Sequence, residues 1–156
     1  MKVNGLSDAE VVQALYRAAQ AGVEIDLVVR GICTLSPGVP GVSERIRVVS
    51  VLGRFLEHAR IFVFGNGGAS EYFIGSADLR PRNLRRRVEV LVPIHSAQHR
   101  RRLDDLLEWE LSDSTAWTLA ADGSYARPAG AASGGDGSAQ ARLVAEAGAS
   151  HVEVSA

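Results

Sequence analysis

Ile25-Asp26-Leu27-Val28-Val29 is the run that decides the fold. It is short, rich in β-branched residues and almost continuously apolar, which is the pattern of a buried strand, and it ends at Arg30. A helix precedes it. Ser7-Asp8-Ala9-Glu10 has capping-box spacing with Ser7 at the N-cap, Val11, Val12, Leu15, Ala18 and Ala19 follow at helical intervals, and Gly22 supplies a stop. Downstream, 46–51 and 60–64 read as further strands, with 52–57 as a short helix between them. Asn66-Gly67-Gly68 gives a hairpin turn, and Tyr72-Phe73-Ile74 returns as its partner. A helical turn over 81–84, a strand over 88–92, a helix over 96–111 and a small hairpin through Trp117-Thr118-Leu119 and 122–125 complete the pattern. Strands alternating with helices predict an α/β domain built on a mixed sheet.

The chain has 156 residues, 46% hydrophobic and 22% charged, which suits one domain with a sizeable core and argues against wholesale disorder. That domain is expected over 1–128, followed by a flexible Ala/Gly/Ser-rich tail over 129–156. Lys2-Val3-Asn4 reads as the end of a strand whose start is missing, so the chain is expected to be a piece of a larger protein. The single cysteine, Cys33, excludes a disulfide framework and a Cys-rich zinc site. No apolar run reaches the roughly 18–20 residues needed to cross a bilayer.

Charge is unevenly distributed. Residues 1–102 hold 15 of the 17 Lys and Arg but 9 of the 18 Asp and Glu, whereas 103–156 are strongly acidic. Lys2 is the only lysine. The guanidinium fork matches phosphate oxygens in pairs, so an arginine-rich front suits phosphate contacts, although an Arg-preferring genome produces the same bulk composition.

Three places carry chemistry. His58 stands just before the strongest strand, and the imidazole titrates near neutrality: neutral it attacks phosphorus, protonated it donates to a leaving oxygen. Arg30 ends a buried strand and opens the 31–43 loop, where α/β sheets commonly place ligands. Arg80, Arg82, Arg85, Arg86 and Arg87 crowd one turn and repel one another unless a polyanion lies between them; Arg87, bordering a strand, is the one expected to face a site. Asp78 serves either to orient His58 and its neighbouring arginines or as a turn former. Asn66-Gly67-Gly68 matches no phosphate-loop fingerprint and reads better as a plain turn. Arg100-Arg101-Arg102 reads as a solvated helix face. His95, His99 and His151 lack ligand spacing, so no metal site is indicated.

His58-Ala59-Arg60, followed by a strand, a glycine turn and Gly75-Ser76-Ala77-Asp78, loosely resembles the His-x-Lys … Gly-Ser-x-Asn pattern of the phospholipase D superfamily, with Arg60 in place of Lys and Gly65 in place of Asp. A more specific resemblance covers 2–127. Ile25-Asp26-Leu27-Val28-Val29-Arg30-Gly31-Ile32-Cys33, Pro37-Gly38-Val39-Pro40-Gly41, Arg54-Phe55-Leu56-Glu57-His58-Ala59-Arg60-Ile61-Phe62, Gly75-Ser76-Ala77-Asp78, Arg82-Asn83-Leu84 and Arg87-Val88-Glu89-Val90 together resemble the last domain of the long, histidine-phosphorylated bacterial polyphosphate kinases.

That resemblance implies a single phospholipase D-like α/β domain, a mixed sheet flanked by helices. It implies reversible transfer of the terminal phosphate of ATP, with Mg²⁺, to inorganic polyphosphate through a phosphohistidine in a preceding domain. It implies that His58 is the second active-site histidine, contacting nucleotide phosphates and assisting as acid or base, and that Arg30 and Arg87 contact ATP and phosphate. The partners implied are ATP or ADP, polyphosphate and the N-terminal, helical and third domains of the same enzyme. The setting implied is cytoplasmic, peripheral membrane association being compatible with it; a homo-oligomer is compatible too, and nucleic acid is not expected. Without the phosphoacceptor domain, the isolated chain is expected to be inactive. Two other readings stand beside this one: a phosphodiesterase or nuclease of the phospholipase D type pairing two copies of His58 in a homodimer, and a non-catalytic polyanion-binding module.

Overall fold

The structure, a computed structural model, describes residues 1–129 and 137–152. Strands β1 (Lys2–Val3), β2 (Ile25–Val29), β3 (Ile46–Ser50), β4 (Ile61–Phe64), β5 (Glu71–Gly75), β6 (Leu91–Pro93), β7 (Trp117–Leu119) and β8 (Tyr125–Ala126) form one sheet in the order β6-β5-β4-β1-β2-β3-β7-β8. The β1–β2 and β2–β3 pairs are parallel and all others antiparallel, so the expected mixed α/β sheet is observed. Helices α1 (Ala9–Gln20), α2 (Pro81–Arg86), α3 (Ala97–Leu111) and α4 (Ala139–Val152) accompany it.

Side-chain alternation along the strands divides the core. Val3, Ile25, Leu27, Val29, Ile46, Val48 and Phe62 pack with Val12, Leu15 and Ala19 of α1, which is the stripe read from the sequence. Val28, Val49 and Val51 point the other way, toward Ala116 and Leu111 at the end of α3. The 31–43 segment is folded rather than open. Buried Leu35 joins the α1-side core, the Ser36 amide bonds the Tyr16 hydroxyl at 2.8 Å, and the Ser43 hydroxyl donates to the Ser36 carbonyl at 2.6 Å.

Several expected boundaries move. Asp8, not Ser7, caps α1: its carboxylate accepts from the Glu10 and Val11 amides, each at 3.2 Å, while the Ser7 amide is bonded to Leu79. The Asn66–Gly68 turn is a turn of 3₁₀ helix. Residues 52–57 form no helix, because their backbone groups find partners elsewhere in the molecule. The strand expected over 88–92 begins only at Leu91, since the Val90 amide is bonded by the Ser76 hydroxyl and the Glu89 carboxylate by Ser76 and Asn83. Most of the expected tail is structured. Ser138, Ala139 and Gln140 are buried at the start of α4, the Ala139 amide bonding the Asp113 carboxylate at 2.8 Å. Residues 130–136 and 153–156 of that tail lie outside the described residues.

Candidate phosphate-binding edge of the sheet

Strand directions bring the expected site residues to one edge. Arg30 follows the carboxyl end of β2, and Asn4 that of β1. Because β4 runs antiparallel to β1, with Lys2 opposite Ile61, His58 and Arg60 enter β4 at this same edge. Strand β5 leaves here into Ser76, Ala77 and Asp78, and Arg87–Val90 enter β6 here, Leu91 facing Gly75. The edge is thus the carboxyl end of the parallel strands, where open α/β sheets bind ligands. The Asn66–Gly68 turn follows the far end of β4, a strand length of about 13 Å away, so it does not cradle a ligand at His58.

Two linked clusters form the site. In the first, Asp78 holds Arg60 in a two-pronged pair, Nε to Oδ1 at 3.2 Å and Nη2 to Oδ2 at 3.1 Å, and also accepts the Asn4 amide at 2.7 Å. Burial pushes the Asp78 carboxyl up, but the Arg60 bonds and the Asn4 and Gly5 amides outweigh it and leave the group below the usual carboxylate range. Arg60 Nη1 then reaches His58 twice, at 2.9 Å to its carbonyl and 3.0 Å to Nδ1. A guanidinium only donates, so Nδ1 accepts and the proton of the neutral ring sits on Nε2. Asp78 therefore orients Arg60, and Arg60 sets the His58 tautomer.

The second cluster fixes the backbone ahead of His58. Arg30 Nη1 donates to the Glu57 carbonyl at 2.6 Å, and the Ser50 hydroxyl donates to the Arg30 carbonyl at 3.0 Å. The Asn4 amide fits with its nitrogen on that Glu57 carbonyl at 2.7 Å and its oxygen facing Arg60 Nε at 3.0 Å. Below lie charges that the sequence reading did not single out. Buried Lys2 bonds Glu57 at 2.8 Å and also Glu110 of α3. Burial raises both carboxyls. Glu57 nonetheless ends below its usual range, through Lys2, Gln140 and the charge of Arg30, whereas Glu110, only 2% exposed and with Oε2 unpartnered, stays above it.

The arginine turn divides by role. Arg87 Nε lies 3.4 Å from Glu89, whose carboxylate also accepts from Asn83 at 2.7 Å and from Ser76. Arg85 is drawn away to the start of α1, where it bonds Asp8 and meets Glu10 at 3.1 Å. Arg100 and Arg102 sit over Tyr72 and Trp109, at 5.3 and 5.2 Å from the ring centres, and Arg100 Nε donates to the Ile94 carbonyl, so this run braces the fold. The structure thus brings Arg30 and His58 together through the Glu57–His58 backbone and places Arg87 on the same edge beyond Glu89. Lys2, Asn4, Glu89 and Gln140 were missed. Each acts through partners distant in sequence, and no local pattern marks them.

The family described as "Polyphosphate kinase C-terminal domain 2" matches residues 1–140. A polyphosphate kinase of Thermosynechococcus vestitus is 58% identical over 125 residues, covering 80% of this chain and 17% of that protein. One from Streptomyces coelicolor is 58% identical over 135 residues, covering 86% and 18%. The crystal structure of polyphosphate kinase from Porphyromonas gingivalis superposes with a TM-score of 0.84 at 40% identity, covering 96% of this chain and 23% of that one. The chain spans less than a fifth of the length of these two curated relatives.

Proposed function

Because the chain belongs to the polyphosphate kinase C-terminal domain family, we propose that its sheet edge binds the phosphates of ATP and inorganic polyphosphate and serves phosphoryl transfer between them in the full-length enzyme. The observation that carries this reading is the convergence of Arg30, His58, Arg60 and Arg87 on the carboxyl end of the parallel strands. Phosphoryl transfer depends mainly on positioning and charge stabilisation, which fixed guanidinium groups provide. Arg30 and Arg87 contact phosphate oxygens. His58, with Nδ1 occupied by Arg60, presents an N–H at Nε2 and donates a hydrogen bond to a phosphate oxygen, while the phosphoacceptor histidine belongs to another domain.

Magnesium enters with the nucleotide. Among the described residues no group of three or more His, Cys, Asp or Glu is placed to hold a metal ion. No described helix is long and apolar enough to cross a membrane. A cytoplasmic setting, where ATP is abundant, is part of the proposal.

Calorimetric titration of the chain with ATP–Mg²⁺ and with polyphosphate at moderate salt tests the reading. Arg30→Ala and His58→Ala are each expected to weaken binding by about tenfold, the magnitude of one charge-assisted hydrogen bond. Wild-type affinity in both variants would refute it. The isolated chain is expected to synthesise no polyphosphate from ATP, and robust synthesis would place the phosphoacceptor within it.

A further inference from the structure

Residues 52–57, immediately ahead of His58, form no helix or strand, so their backbone groups need partners from outside the segment. Gln140, at the first turn of α4, partners both backbone groups of Phe55. Its Oε1 accepts the Phe55 amide at 2.9 Å, and its Nε2 donates to the Phe55 carbonyl at 2.8 Å and to Glu57 Oε1 at 2.9 Å. The side-chain amide thus pairs with Phe55 as a neighbouring strand would. Gln140 is 4% exposed, so these bonds have little competition from water. Its position is itself fixed: the Asp113 carboxylate accepts the Ala139 amide, and the Ser138 hydroxyl accepts the Ala141 amide at 3.1 Å. Glu57 is the meeting point. Its carboxylate is held by Gln140 and Lys2, and its carbonyl by Arg30. Gly53 is shaped to the same contact, since a Cβ there would run into the Gln140 amide.

We propose that Gln140 is a positioning residue of the phosphate site, clamping Phe55–Glu57 so that Arg30 and His58 stand in a fixed relation to each other. This rests on the phosphate-binding reading of Arg30 and His58. Gln140 touches no phosphate and acts through the segment it holds.

The test uses the full chain with inorganic tripolyphosphate as probe. Gln140→Met keeps the side-chain length and removes the bonds; Gly53→Ala displaces the amide without altering Gln140. In both variants hydrogen exchange at the Phe55 amide is expected to accelerate by about tenfold or more, matching the loss of its bond. Tripolyphosphate affinity is expected to fall several-fold. In an Arg30→Ala/His58→Ala background the same substitutions are expected to cost little further affinity, because they act through Arg30 and His58. A general loss of folding would instead raise exchange across β2 and β3 as well, and that pattern in both variants overturns the proposal. Unchanged Phe55 exchange, or wild-type tripolyphosphate affinity together with faster Phe55 exchange, overturns it too. Failure of the underlying reading looks different: wild type and Arg30→Ala would bind tripolyphosphate equally.

Discussion

Asp78 acts on His58 at one remove, through the guanidinium of Arg60. Asp78→Asn weakens a largely buried ion pair and frees Arg60 from its two-pronged hold, and it is expected to cost about 3 kcal/mol in urea unfolding at pH 7. The pH dependence has a definite sign. The Asp78 pKa is depressed in the fold, so its contribution is fully present above the unfolded value near 3.9 and is lost as pH falls through the folded value. The gap between wild type and Asp78→Asn is therefore expected to hold from pH 7 down to about pH 4 and to shrink below it; a gap already closed at pH 5 would contradict the account. Glu110 behaves oppositely. Its pKa is raised, so ionising it works against folding as pH rises from the unfolded value near 4.3 through the folded one. Thermal melts of Glu110→Gln are expected to gain on wild type as pH rises from about 4, and a constant difference would show that the carboxyl is not strained by burial. At this scale the sequence identified His58, Arg30, Arg87 and Asp78 as candidates. It could not show that Asp78 works through Arg60, because that depends on how two loops meet.

At the scale of elements, pattern and packing agree where a segment's own residues decide its state. The strand over Ile25–Val29 follows from a short, β-branched apolar run, and the helix through Leu15 and Ala19 from its apolar stripe. They diverge where a distant side chain competes for the backbone. Residues 52–57 lose their expected helix to Gln140 and Arg30, and Val88 and Val90 stay out of β6 because Ser76 and Glu89 hold the turn. The Ala/Gly/Ser composition after Pro128 reads as a tail, yet buried Ser138, Ala139 and Gln140 anchor a helix there. Gly75 tests the β5–β6 junction. A Cβ at that position would meet the Val90 carbonyl at 2.5 Å, a backbone atom that yields only if β6 moves. Gly75→Ala is expected to lower stability by about 2 kcal/mol and to shift the Arg87–Val90 amide resonances, since overpacking displaces neighbours. A neutral melt with unshifted resonances would show that the junction has slack.

For the whole molecule, the arginine-rich front gives long-range attraction for any polyanion, while the edge residues give a fixed place for phosphate. The two differ in salt dependence: diffuse attraction fades as ions screen it, whereas an organised set of donors retains affinity. Arg101→Ala, on the exposed face of α3, is expected to change tripolyphosphate affinity less than twofold at moderate salt, against about tenfold for Arg30→Ala. The most direct measurement of the central claim is an amide-resolved NMR titration of the chain with inorganic polyphosphate at moderate salt. Saturable shifts are expected, concentrated at Asn4–Gly5, Arg30–Gly31, Glu57–Arg60, Ser76–Asp78 and Arg87–Glu89. Shifts centred on Arg100–Arg102, or spread over all arginine-bearing segments, would contradict a phosphate site at the sheet edge and leave a diffuse polyanion surface in its place.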